Sequence, residues 1–344
     1  MEKTIRVLAI GALSLAATAV YAADDTSRAA PPSMPGSKVS ANAPSRDSAA
    51  LADGTDIAAI NGDDVVKKTL ANGLQIVVVP DHLAPVATTM LTYKVGSREA
   101  DADFPGTAHA LEHMMFRGTK DLSAAQIAAI GAALGGQVNA FTTNDATSYY
   151  FTMPSQFVDV ALRLHAERMQ GVLNTKADWQ QERGAIEQEV SAAMSSPIQV
   201  AIKRMRAQLY AGTPYSHDAL GTRESFDATT AKRLQAFYDT WYTPSNAALI
   251  VTGDVNPEAI VDRAKALFGD IKSHDVPERA PVEPGKLDAK TIRMPTDAGY
   301  GYAILGFRAP GTRDVAANAT GEVLAQVLNN PRGPLYTQMV ASGK

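Results

Sequence analysis

Apolar residues recur at helical spacing through much of the chain and at alternate positions in a few shorter runs. Gln75 to Val79 and Val86 to Tyr93, a pair separated by Pro80-Asp81, read as strands, as do 137–142, 147–153 and 247–252. Helical patterns cover 106–117, 123–133, 155–170, 178–211, 229–240 and 257–267. Strands and helices interleaved in this way predict an α+β fold, with helices packed on a mixed, mostly antiparallel sheet. The region 61–272 is long enough to close one sizeable core. Between Ala23 and Ile60 the chain is rich in Ala, Ser, Pro, Asp and Gly with no apolar period, which predicts a disordered linker over 23–60. A second linker is expected over the Pro- and Glu-rich stretch 273–289.

The first residues carry a different pattern. Lys3 and Arg6 precede an apolar run from Val7 to Val20, and Val20-Tyr21-Ala22 closes it with a small residue. This order predicts a signal peptide over 1–22, cleaved before Ala23, and a periplasmic mature protein. The run is too short to span a bilayer comfortably, so no stable membrane insertion is expected.

Composition narrows the chemistry. With 32 basic and 36 acidic residues the formal charge is −4, so no general attraction for nucleic acid is expected. The chain has no cysteine. Disulfides, thiolate nucleophiles and Cys-ligated zinc are therefore excluded, which leaves His and carboxylate as the strong metal ligands. Neither G-x-S-x-G nor a Walker A sequence occurs, so serine hydrolase and nucleotide-binding readings have no anchor. His82, His165, His217 and His274 lack partners at ligand spacing and read as surface or hydrogen-bonded histidines.

His109-Ala110-Leu111-Glu112-His113 is the segment that carries chemistry. On a helix, residues four apart stack on one face, so both imidazoles can reach one ion with Glu112 beside it. H-x-x-E-H is the inverted zinc-peptidase order. A third ligand is sought in Asp178 to Glu189, where Asp178 is expected to cap a helix with the apolar stripe Trp179, Ile186, Val190, Ala193. Glu182 and Glu189, seven apart, fall on or next to that stripe, and a carboxylate facing a core needs a positive partner. Asn139-Ala140-Phe141, between Gly135-Gly136 and a polar run, reads either as an ordinary hairpin strand or as an edge that adds a peptide by β-augmentation.

Taken together these segments resemble the pitrilysin/insulinase metallopeptidases, specifically the two-domain group that includes mitochondrial processing peptidase and its bacterial relatives. The resemblance runs from Leu70 to the end. It includes Leu70-Ala71-Asn72-Gly73-Leu74, Val95 to Glu99, His109 to Thr119, Gly135 to Thr142, Glu182 to Glu189, Tyr242 to Asn246 and Gly253-Asp254-Val255. It implies one zinc per chain held by His109, His113 and Glu189, with Glu112 as general base and Glu182 as the acid that supports a ligand. It also implies that Asn139, Ala140 and Phe141 pair with substrate, a peptide or unfolded protein.

The family consists of two homologous halves, and a faint echo of the first appears late in the chain. Gly96-Ser97-Arg98-Glu99 is answered by Gly311-Thr312-Arg313-Asp314, and Gly106 by Gly321. In that register His109, Glu112 and His113 become Leu324, Val327 and Leu328, so the second copy has no metal site. Residues 290–344 therefore read as the incomplete start of a second, non-metal-binding domain, and the chain as truncated, with 61–272 as the catalytic domain. The expected function is a zinc-dependent endopeptidase or oligopeptidase, alone or as a homo- or heterodimer with a related subunit. The alternative is a non-catalytic structural subunit of a heteromeric peptidase.

Overall fold

The computed structural model describes residues 5–9, 64–295, 301–311 and 314–342, so the expected 23–60 linker and most of the expected leader lie outside the described residues. In chain order the elements are β1 (Ile5–Ala9), β2 (Val66–Thr69), β3 (Gln75–Pro80), β4 (Val86–Tyr93), α1 (Thr107–Met114) and α2 (Ala124–Ala133). Then come β5 (Gln137–Thr142), β6 (Thr147–Pro154), α3 (Val158–Gln170), α4 (Lys176–Met194), α5 (Pro197–Leu209) and α6 (Arg223–Ala228). α7 (Ala231–Trp241), β7 (Ala247–Gly253), α8 (Pro257–Phe268), β8 (Gly301–Leu305) and α9 (Val315–Asn329) complete the described elements used below.

β2 to β7 form one sheet in the order β2-β3-β7-β4-β6-β5. Only the β3–β7 pair is parallel, so the sheet is mixed and mostly antiparallel, as expected. The two early strands are not neighbours, however: β7 lies between β3 and β4, pairing Ile76 with Leu249 and Met90 with Ile250. β1 pairs with β8 in parallel, Val7 opposite Ala303. β1 falls inside the expected leader, so a chain cleaved before Ala23 would lack that pairing.

One face of the sheet is buried under helices. Ala87, Thr89, Leu91 and Tyr93 of β4 are buried, whereas Thr88, Met90 and Thr92 on the other face are half-buried. Leu74, Ile76, Leu91, Leu111, Met114, Leu162, Leu249 and Phe268 share one core. Each side chain of this size contributes about 1.5–3 kcal/mol when fully buried. The other face carries polar cross-strand pairs, Thr88 with Thr152 and Thr92 with Ser148, both at 2.9 Å.

Two local readings are corrected. The pattern over 178–211 is two helices rather than one, because Pro197 has no N–H to continue a helix and instead occupies the first turn of α5. The cap of α4 is Thr175, whose hydroxyl accepts from the Asp178 N–H at 3.0 Å; Asp178 lies one turn inside.

Candidate metal centre

α1 presents the histidine pair. It starts at Gly106 with φ +91°, a left-handed conformation that favours glycine. A Cβ there would lie 2.6 Å from Phe226 Cζ and 2.7 Å from Gly221 Cα, so the backbone before α6 crosses close beneath the start of α1. Leu111 and Met114 anchor the helix in the core, with no side-chain exposure. His109 and Glu112 are buried as well, each 8% exposed.

α4 supplies the acids. Trp179, Ile186 and Val190 are buried, as their spacing implies, and Trp179 Nε1 donates to the Thr229 carbonyl at 2.9 Å. Glu189 does not face the core: half of its side chain is exposed, 52%, where the edge of the stripe meets the histidines of α1. Its Oε2 lies 3.5 Å from His109 Nε2 and 3.6 Å from His113 Nε2, and the two Nε2 atoms are 3.2 Å apart. Among the described residues these three form the group of donors able to hold a metal ion.

The three separations fit a zinc site. Ligands held tetrahedrally at about 2.0–2.1 Å lie roughly 3.3 Å from one another, close to each edge of this triangle. Two imidazole nitrogens and a carboxylate oxygen are also the right chemical set, and the 3.2 Å approach of the two Nε2 atoms suits either a proton held between the rings or an ion that replaces it.

Glu182 completes the arrangement from behind. It accepts a hydrogen bond from His113 Nδ1 at 2.8 Å, leaving Nε2 for the triangle. Arg117 lies beyond it, with Nη1 3.4 Å from Glu182 Oε2 and Nη2 3.8 Å from Asp178. Sequence reasoning did not single out Arg117, although its position four residues after His113 is a usable signal.

The charges respond to this packing. Burial works against the His113 proton, but the bonds to Glu182 and Glu189 outweigh it and raise its pKa to about 9. The His109 and His113 bonds hold the Glu189 carboxyl well below the usual carboxylate range. The bond from His113 lowers Glu182, against its partial burial. Burial raises Glu112, against a hydrogen bond from Thr142 and the nearby imidazoles.

The expected substrate strand is adjacent. β5 is the outermost strand of its sheet, with β6 on one side only. Ala140 stands opposite the buried Tyr149 and shares its face, whereas Asn139 and Phe141 stand opposite Tyr150 and Ser148 on the other face. The Ala140 N–H donates to Asn139 Oδ1 at 2.8 Å. The four remaining histidines lie elsewhere: His82 pairs with Asp254 at 2.7 Å, His165 is buried beside Thr89, His217 Nδ1 contacts the Asp218 carbonyl, and the His274 backbone bonds Ser245 and Thr243. No described helix is long and apolar enough to cross a membrane.

Comparison with known proteins places the chain in a family. Residues 75–223 match the insulinase (peptidase family M16) model, and residues 228–343 match the model of the M16 inactive domain. The zinc protease PqqE of Helicobacter pylori is 32% identical over 268 residues, which are 75% of this chain and 60% of that protein. The crystal structure of a protease from Helicobacter pylori superposes with a TM-score of 0.61 at 31% identity, covering 64% of this chain and 53% of that one. The first half of the periplasmic protease PqqL from Escherichia coli superposes with a TM-score of 0.60 at 25% identity, over 65% of this chain and 49% of that one. The chain thus spans between half and three-fifths of the length of these relatives.

Proposed function

Because the chain belongs to the insulinase (M16) peptidase family, we propose that it is a zinc-dependent endopeptidase or oligopeptidase whose site is built from α1, α4 and β5. The observation that carries this reading is the triangle of His109, His113 and Glu189 with Glu112 one residue from His113. Those three residues would hold one zinc per chain. Zinc so held supplies Lewis acidity toward a peptide carbonyl and makes water a better acid.

The chain's own residues do the rest. Glu112 takes a proton from water as its oxygen attacks the scissile carbonyl, and returns that proton to the nitrogen as the C–N bond breaks. The burial that raises its pKa brings it toward the working pH and improves it as an acid in the second step. Glu182 keeps the His113 proton on Nδ1, with Arg117 holding Glu182 in place. A peptide in extended form adds to the open edge of β5 beside Asn139, Ala140 and Phe141, displacing Asn139 Oδ1 from the Ala140 N–H.

The proposal extends to the setting of the protein. Met1 to Ala22 serve as a cleaved export signal, and the mature chain works in the periplasm on peptides or unfolded proteins. Residues 61–272 form the catalytic unit, joined by 273–289 to a related domain beginning near 290, and the protein works alone or as a homo- or heterodimer with a related subunit. A structural, non-catalytic role has no support from a chain that keeps every part of the metal motif.

The test is Glu112→Gln in the full-length gene product. Zinc content should equal that of wild type, while hydrolysis of fluorescein-labelled casein should fall at least 100-fold, the scale of a lost general base. Wild-type turnover in that variant would refute the assignment.

A further inference from the structure

Glu112 is held from the strand that would carry the substrate. Thr142, the last residue of β5, donates its hydroxyl to Glu112 Oε2 at 2.5 Å. It stands on the same face of the strand as Ala140, two residues away. Glu112 Oε1 has no hydrogen-bond partner among the described residues. One carboxylate oxygen is therefore fixed and the other is free.

The donor is itself immobilised. The turn after Thr142 is fastened to the segment at 96–98 by two backbone bonds, Ser97 N–H to Thr143 O and Arg98 N–H to Asn144 O, both 3.0 Å. Gly96 permits that approach, since a Cβ there would lie 2.3 Å from Thr143 O. Asn144 is bound through both ends of its amide: Nδ2 donates to Ser97 Oγ at 2.8 Å, and Oδ1 accepts from Arg206 Nη1 at 2.9 Å. Such a fastened turn is more than a hairpin needs, but it is what a hydrogen bond requires if it is to set a neighbour's geometry to within a fraction of an ångström.

We propose that Thr142 is a positioning residue of this site, fixing Glu112 so that its free oxygen is the one that exchanges protons with water and the leaving amine. This rests on the reading of Glu112 as general base. It adds that base and bound peptide are placed by one rigid strand, two residues apart. Loss of the Thr142 hydroxyl should leave the β5 edge and the donor triangle in place while the carboxylate wanders. The defect should therefore appear in kcat and spare both KM and the metal.

Thr142→Val keeps the shape and removes the donor, and Thr142→Ser keeps the donor. In full-length protein we expect Thr142→Val to retain wild-type zinc content and melting curve, to lose about 10- to 100-fold in kcat on labelled casein, and to keep KM within about twofold. Thr142→Ser should recover kcat to within about threefold of wild type. Wild-type kcat in Thr142→Val, or a Thr142→Ser protein of normal zinc content and melting curve that is as slow as Thr142→Val, would overturn the proposal. Should the valine variant not fold, the serine variant decides alone: near-normal kcat supports the proposal and a 10-fold or larger loss refutes it. Glu112→Gln, run alongside, separates the two levels. Full turnover there would sink the reading of the base and this inference with it, whereas an inactive Glu112→Gln beside a fully active Thr142→Val would sink this inference alone.

Discussion

Glu182 accepts the Nδ1–H of His113 at 2.8 Å, and that bond decides which nitrogen of the ring meets Glu189 and His109. The two elements concerned, α1 and α4, are joined at this point by a charged contact rather than by packing alone. Arg117 extends it to guanidinium, carboxylate and imidazole in series.

Glu182→Gln keeps an acceptor for Nδ1–H but removes the charge. Zinc affinity or kcat should drop about 10- to 100-fold, the usual consequence of weakening the group behind a metal-bound histidine. Isothermal titration with zinc, and turnover at saturating zinc, measure the two possibilities. Unchanged values in both would reduce Glu182 to a helix–helix contact.

The raised pKa of His113 gives zinc binding a pH dependence. With no metal the ring holds its proton up to about pH 9, and that proton must leave Nε2 when an ion enters. Apparent affinity should therefore rise as pH rises from 7 toward 9, by up to about tenfold per unit for one displaced proton, and level off above. Competition against a chromophoric chelator across pH 6.5–9.5 checks this. A flat profile between 7 and 9 would show that His113 is already neutral in the metal-free protein.

Much of this site was legible in the sequence, because its chemistry lies within helices. His109 and His113 are four apart and Glu182 and Glu189 seven apart, so helical spacing alone places each pair on one face. What joins the pairs was not. Thr142 meets Glu112 across thirty residues and β3 meets β7 across more than 170, pairings that leave no local periodic trace. The α4–α5 break was visible as Ser-Ser-Pro, yet apolar periodicity continues on both sides and masks it. Glu189 is expected on or next to the apolar stripe and stands at its margin, but a stripe identifies the buried side of a helix and does not say what stands beside it.

His165 should make the fold sensitive to acid. The ring is fully buried, with Nε2 3.1 Å from Thr89 Oγ1, and burial together with the Arg168 charge depresses its pKa to about 3. Unfolded, it titrates near 6.5, so between roughly pH 6.5 and 3 the unfolded chain binds the extra proton. Stability from this group is present above 6.5 and is lost as pH falls, by up to about 1.4 kcal/mol per unit. Urea unfolding of metal-free wild type and His165→Gln at pH 7 and 4.5 should give a smaller pH difference for the variant. Equal differences would contradict the assignment.

Gly106→Ala should disturb the start of α1. Alanine would need the left-handed φ of +91° and would place a methyl 2.6 Å from Phe226 Cζ. A loss of about 1–3 kcal/mol is expected from strain and displacement together. The melting temperature should fall by several degrees, with zinc affinity falling in parallel. A variant as stable as wild type would mean that the Gly106–Gly221 crossing is looser than described.

The decisive measurement is the zinc-edge X-ray absorption spectrum of the purified full-length protein, taken with its metal content. Donors 3.2, 3.5 and 3.6 Å apart should yield about one zinc per chain, with two imidazole nitrogens and oxygen ligands at about 2.0–2.1 Å. His113→Ala should lose the metal. A wild-type protein with no tightly bound metal, or with zinc retained unchanged in His113→Ala, would contradict the metal centre proposed for His109, His113 and Glu189.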